Sequence, residues 1–187
     1  MRRYFIGFAL LLSWEVSAQN TTDFTFRKPD LSPLDKAYFP DHFAHDRKAG
    51  DKAILRITYS RPLAKGRELF GDLVPYGEVW RTGADETPEL RVYQDVRIAG
   101  QTLGAGTYSV FTIPGEDSWT IIINTDLDYW GAYSYNKAQD VMRVPAPVSS
   151  LEKPVENFSI QFEEDGDNAL MHFAWGTTVA TLPITIL

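Results

Sequence analysis

The chain has no cysteine, which excludes disulfides, thiol nucleophiles and a lipid-bearing N-terminal Cys. Histidine is nearly as scarce. His42 and His45 in D-H-F-A-H-D share one side of a potential helical turn, but zinc needs three or four ligands. The third histidine, His172, sits among core-like neighbours. No metal and no cofactor is therefore expected. No Ser–His–Asp constellation can be assembled, and no Gly-rich loop leads into a helix to cradle phosphate. A surplus of positive charge is also missing. The net charge is −7, a poor match to nucleic acid or an anionic membrane surface, both of which need basic partners. Beyond the N-terminus no stretch approaches the roughly 20 apolar residues of a spanning helix.

What is there begins with Arg2 and Arg3, an apolar run from Tyr4 to Trp14, and the small-residue site Val16-Ser17-Ala18. That pattern predicts a secretory signal over residues 1–18, hence an exported, periplasmic or extracellular chain that is not a lipoprotein. Residues 19–50, with Pro29, Pro33 and Pro40, predict an extended N-terminal arm fastened by Leu34, Tyr38, Phe39 and Phe43. Residues 51–187 predict a single β-domain.

In that domain Ala53, Leu55, Ile57 and Tyr59 alternate with more polar neighbours, the two-residue period of a half-buried strand. Leu90, Val92, Val96 and Ile98 share another such face, as do Trp119, Ile121 and Ile123, then Phe158, Ile160 and Phe162, then Met171, Phe173 and Trp175. A short apolar piece lies around Val141–Val144. Gly and Pro turns separate these runs. About eight short strands without sustained helical periodicity predict an all-β fold, an antiparallel β-sandwich or jelly-roll-like barrel. Glu68–Val74 has room for one or two helical turns.

The connection from Arg61 to Pro88 is too long for a turn, and loops of this length tend to be functional or disordered. Leu69, Phe70, Leu73, Val74, Tyr76, Val79 and Trp80 carry too much apolar surface for a solvated linker. A packed loop bearing Arg61, Lys65, Arg67 and Arg81 could form an anion pocket, since Arg presents a planar fork to carboxylate or phosphate. Each cation could equally pair with a local carboxylate. Trp80, Trp130 and Tyr133 are aromatics outside regular strands, suited to stacking a sugar ring or to packing, whereas Trp119 reads as core. Asp85 and Glu86 are candidate acid–base groups. As neighbours in an extended chain they point to opposite faces, which argues against a catalytic dyad.

Three functional expectations result. The first is a module binding a small polar or saccharide ligand through the 61–88 and 126–135 loops. The second is a hydrolase using Asp85 or Glu86. The third is a structural domain whose long loop only completes the core, with a protein partner.

R-P-x-x-K-G-R-x-L-F-G-x-L-V-P-Y-G-x-V-W-R-T-G-A-D-E at 61–86 carries a family resemblance. It continues through V-R-I-A-G at 96–100, G-T-Y-S-V-F-T-I-P-G at 106–115, W-T-I-I-I-N at 119–124, W-G-A-Y at 130–133 and P-V-E-x-F at 154–158, with S-P-L-D-x-x-Y-F-P at 32–40 before it. Together these stretches resemble the domain of unknown function 2911 family. The resemblance implies an exported β-rich protein of a Gram-negative envelope and brings no established activity, cofactor or catalytic residue. It also implies that Asp85 stands where many relatives carry Asn, so a donor role at that position is in doubt.

Overall fold

A computed structural model describes residues 25–187; the expected signal and the first residues of the arm lie outside the described residues. Nine antiparallel strands form one open sheet: β1 (Leu34–Phe39), β2 (Leu55–Ser60), β3 (Glu89–Val92), β4 (Val96–Ile98), β5 (Gln101–Leu103), β6 (Gly106–Ile113), β7 (Ser118–Asn124), β8 (Asp140–Asp165) and β9 (Asn168–Ile186). Their spatial order is β1-β2-β3-β6-β7-β8-β9-β4-β5. The fold is all-β, as the periodicity predicts. Among the described residues the one α-helical turn, α1, spans His42–His45.

Alternation in sequence becomes alternation in burial. Leu55, Ile57 and Tyr59 of β2 are buried, with Arg56 and Thr58 between them less so. One large core cluster takes residues from nearly every strand, including Val96 and Ile98 near one end of the sheet and Leu55 and Ile57 near the other. The sheet therefore coils over one main interior, and a smaller cluster of Phe111, Ile122 and Tyr129 packs apart from it. Each large aliphatic fully withdrawn from water there contributes roughly 1.5–3 kcal/mol.

Several elements differ from the sequence expectation. Leu90–Ile98 is two strands: β3 pairs with β2 and β6, whereas β4 pairs with β9 and β5. The Asp95 carboxylate accepts the Ala105 N–H at the break between them. The short piece at 141–144 belongs to β8, which pairs with β7 over 140–147 and with β9 over 148–165. Glu68–Val74 is turn rather than helix, closed by Val74 N–H to Leu69 O at 2.8 Å. In the arm, residues 34–39 are strand β1, hydrogen-bonded to β2 along their whole length.

Candidate functional site

The long loop is laced to the domain at both ends. After β2 it runs antiparallel to the middle of β8: Phe158 N–H donates to Pro62 O at 2.9 Å, and Ala64 N–H to Glu156 O at 2.8 Å. Leu69, Phe70 and Val74 are buried. The φ of +59° at Gly176 opens a bend in β9, where a Cβ would stand 2.9 Å from the Leu69 Cδ1 methyl. The loop returns at Trp80, which exchanges backbone hydrogen bonds with Thr112 of β6 at 2.7 and 3.0 Å. Trp80 stacks on Trp175, centroids 6.1 Å apart and planes 5° apart, and meets the edges of Phe70, Trp119 and Phe158. Half of its role is thus core.

The next five residues, R-T-G-A-D, form a turn that L-amino acids disfavour. Thr82 has φ 60° and Asp85 φ 57°, and a β-branched residue in the left-handed region is a real outlier. Such positions cost of order 1–3 kcal/mol and persist where the surroundings over-determine them. The surroundings here are explicit. Thr82 is fully buried, its hydroxyl 3.0 Å from that of Thr112. Asp85 O accepts Gly131 N–H at 2.8 Å, Thr87 N–H reaches Tyr129 O at 3.1 Å, and Glu86 and Trp130 form an antiparallel bridge. The two loops singled out from sequence are one hydrogen-bonded unit.

Two hollows flank this turn. The first, about 360 Å³, is lined by Lys65, Arg67 and Arg81 over an apolar floor that includes Trp80 and Trp175. The second, about 530 Å³, is lined by Arg27, Asp30, Asp85, Glu86 and Trp130. Ser32 borders both. Burial pushes the Asp85 carboxyl above its ordinary range, and the negative charges of Asp30 and Glu86 push it further, against the pull of Arg81. Two polar atoms at this junction are shut from solvent with no hydrogen-bond partner among the described residues: Nε of Arg81 and the hydroxyl of Ser60, the latter in the wall of the acidic hollow.

The sequence candidates therefore divide into groups. Lys65, Arg67, Trp80 and Arg81 meet in the cationic hollow; Asp85, Glu86 and Trp130 meet in the acidic one. Asp85 and Glu86 both line the acidic hollow, Glu86 borders a neighbouring hollow as well, and the positive φ at Asp85 departs from the extended backbone that the sequence reading assumed. Arg61 joins neither hollow. Its guanidinium is held by the Asp35 carboxylate at 2.7 Å, the Ser159 hydroxyl at 2.8 Å and Phe158 O at 3.3 Å, tying β1 to β8. Tyr133 is 82% exposed and stacks on the 61% exposed Trp130, centroids 6.0 Å apart. The histidines do not converge: His42 lies 3.6 Å from Asp51, while His172 bonds Glu163 and Thr181. Among the described residues no group of three or more His, Asp or Glu is arranged to hold a metal ion.

Arg27, Asp30, Ser32, Ser60 and Trp175 are site residues that sequence reasoning missed. Trp175 was hidden by its place on an alternating strand, and the first three by lying before β1. The S-P-L-D stretch at 32–35 was the available signal, since it opens one of the stretches that carry the family resemblance.

No curated protein and no solved structure matches the chain. A family model described as a protein of unknown function, DUF2911, matches residues 41–184, a span that holds both loops and Trp175. On that match the chain belongs to the DUF2911 family.

Proposed function

We propose that the protein is an exported binding module that holds a small polar or saccharide ligand across its 61–88 and 126–135 loops. The observation that carries this reading is the Glu86–Trp130 bridge, which fixes an exposed indole beside three carboxylates. A sugar presents a C–H face that stacks on an aromatic ring and hydroxyls that donate to carboxylate oxygens. Asp30, Asp85 and Glu86 supply those acceptors, and Trp130 supplies the ring. Titration calorimetry with neutral mono- and disaccharides tests the reading. Binding should weaken about tenfold or more in Trp130→Ala with the melting temperature unchanged. Failure of every sugar to bind, or equal binding by the variant, overturns it. Export rests on the N-terminal pattern and is tested by fractionating cells that express the full chain.

A hydrolytic reading has one observation in its favour, the Asp85 carboxyl beside Glu86, pushed above its ordinary range by burial and then by Asp30 and Glu86, since a raised carboxyl exchanges its proton closer to the working pH than an ordinary one does. Turnover of nitrophenyl glycosides or esters that vanishes in Glu86→Gln would establish it. No turnover across the panel would remove it.

A further inference from the structure

Three arginines outside the cationic hollow have a carboxylate partner, and the half-buried Arg91 has the Thr107 hydroxyl as an acceptor at 2.8 Å. Arg56 pairs with Glu89 at 3.3 Å, Arg61 with Asp35 at 2.7 Å and Arg143 with Asp140 at 2.7 Å. Arg81 makes no such pair among the described residues, although it is half-buried and its Nε is sealed in the wall without an acceptor. A cation withdrawn from water without a counter-charge is costly. Asp85 feels its field from the neighbouring hollow without making an ion-pair contact. Arg67, exposed at the rim, donates to neutral acceptors, the carbonyl oxygens of Ala64 and Leu63, and has no carboxylate partner among the described residues. Lys65 is exposed at the rim. A carboxylate does come close: Glu156 accepts the backbone N–H of Lys65 at 2.9 Å, but it does not line the hollow. Three cations thus border a space of about 360 Å³ whose lining contains no acidic residue and whose apolar part includes Trp80, Leu63 and Leu73. That size falls in the range of small-molecule pockets.

We infer that this hollow takes the oxyanion group, a carboxylate or a phosphate, of a small organic molecule whose flat or apolar body lies against the half-buried indole of Trp80, which the buried Trp175 backs. The inference rests on the binding reading above and names the anionic end of its ligand. Arg81 contributes its terminal nitrogens, the only donors of its guanidinium not sealed in the wall, and Arg67 and Lys65 add charge from the other side. Ser32, on the border of both hollows, marks where a ligand would pass from the cationic to the acidic hollow.

Titration calorimetry on the full chain tests this with phenyl phosphate, phenylacetate and the neutral isostere phenylacetamide, each at low and high salt. At least one anion should bind and phenylacetamide should not. Binding should weaken with salt, as a partly exposed charge contact does. Arg81→Gln and Arg67→Gln should each weaken it about tenfold or more, because Gln keeps a donor but loses the charge and the fork. Arg81→Lys should recover part of the loss. Arg97→Gln, an exposed change of the same charge on β4, should bind as wild type does. Phosphate and carboxylate are told apart by which probe binds more tightly. Equal binding of the amide, unchanged affinity in folded Arg81→Gln, or no binding by either anion overturns the inference. If anions fail while a neutral sugar still depends on Trp130, the saccharide reading stands alone. If anions bind through Arg81 while no sugar does, the saccharide reading falls instead.

Discussion

Replacing Trp80 by Ala separates a loop that merely covers the domain from one built into it. Removing a core Trp costs about 3–5 kcal/mol. Trp80 is half-buried, so the lower end applies, yet it touches four aromatic rings, with Phe158 nearest at 5.2 Å and Trp175 stacked at 6.1 Å. A loss of about 3 kcal/mol lowers the melting temperature by roughly 6–12 °C for a domain of this size. Trp130→Ala is the matched control: the same indole is lost, but from a ring 61% exposed, so the change should stay within about 0.5 kcal/mol. Urea unfolding followed by circular dichroism measures both, with an unchanged slope confirming that the folded state is intact. A Trp80→Ala loss below about 1 kcal/mol, or equal losses in the two variants, would refute the aromatic packing and with it the fixed floor of the cationic hollow.

Gly83→Ala should destabilise by about 1–3 kcal/mol, because φ there is +144° and a Cβ would stand 3.1 Å from the carbonyl oxygen of Ser60; an unchanged urea midpoint would show that the turn relaxes freely. Asp85→Asn should be more stable than wild type at neutral pH. The carboxyl is pushed up from 3.8 by burial, then by Asp30 and Glu86, so its ionised form costs stability above the raised value, and the gap should close as pH falls toward 3.8. A constant gap would contradict the assignment. Tyr135 is pushed up to about 12, chiefly by burial and then by its hydrogen bond to Asp140. Wild type should therefore lose stability as pH rises from 10 through that value, a loss Tyr135→Phe should lack after paying about 1–2 kcal/mol for its missing hydrogen bonds to Asp140 and Arg143. Parallel alkaline curves for the two proteins would count against this.

Strand identity was legible wherever one face is buried, since Leu55, Ile57 and Tyr59, or Phe158, Ile160 and Phe162, have an alternation that no other element shares. Connectivity was not. Val92 and Val96 are four residues apart, an even step, so the alternating phase survives the break and hides the transfer of the chain from one side of the sheet to the other. Proline donates no ladder hydrogen bond and is confined in sheets to edges, strand starts and bulges, yet β8 passes through Pro145, Pro147 and Pro154; the first two lie on its exposed face while Val144 and Ala146 carry the buried one. Within the site, chemistry was legible and placement was not. Arg81, Asp85 and Trp130 stood out by type and by lying in irregular segments. Arg27, Asp30 and Ser32 reach the hollows because β1 pairs with β2, a long-range event without a local signature. Arg61 was misjudged for the same reason, since its partner Asp35 arrives on that strand.

Among the described residues five non-glycine positions have positive φ: Lys65, Thr82, Asp85, Ala99 and Asp128. Ala99 with Gly100 is the tight turn between β4 and β5, which needs such angles. Lys65 with Gly66 is a second such turn, closed by Arg67 N–H to Ala64 O at 3.1 Å; Thr82, Asp85 and Asp128 lie in the two long loops. Asp85 offers a direct measure of whether that strain is real. At ordinary positions Ala stabilises over Gly by about 0.4–1 kcal/mol through the unfolded chain; in the left-handed region the order reverses, because a Cβ there costs roughly 1–2 kcal/mol. Asp85→Gly and Asp85→Ala remove the same carboxylate and differ only in that atom, so Gly should be the more stable of the two by about 0.5–1 kcal/mol. If Ala proves the more stable, the backbone at Asp85 is not held at positive φ in solution. The bridge from Glu86 to Trp130 would then lose the turn that aims it.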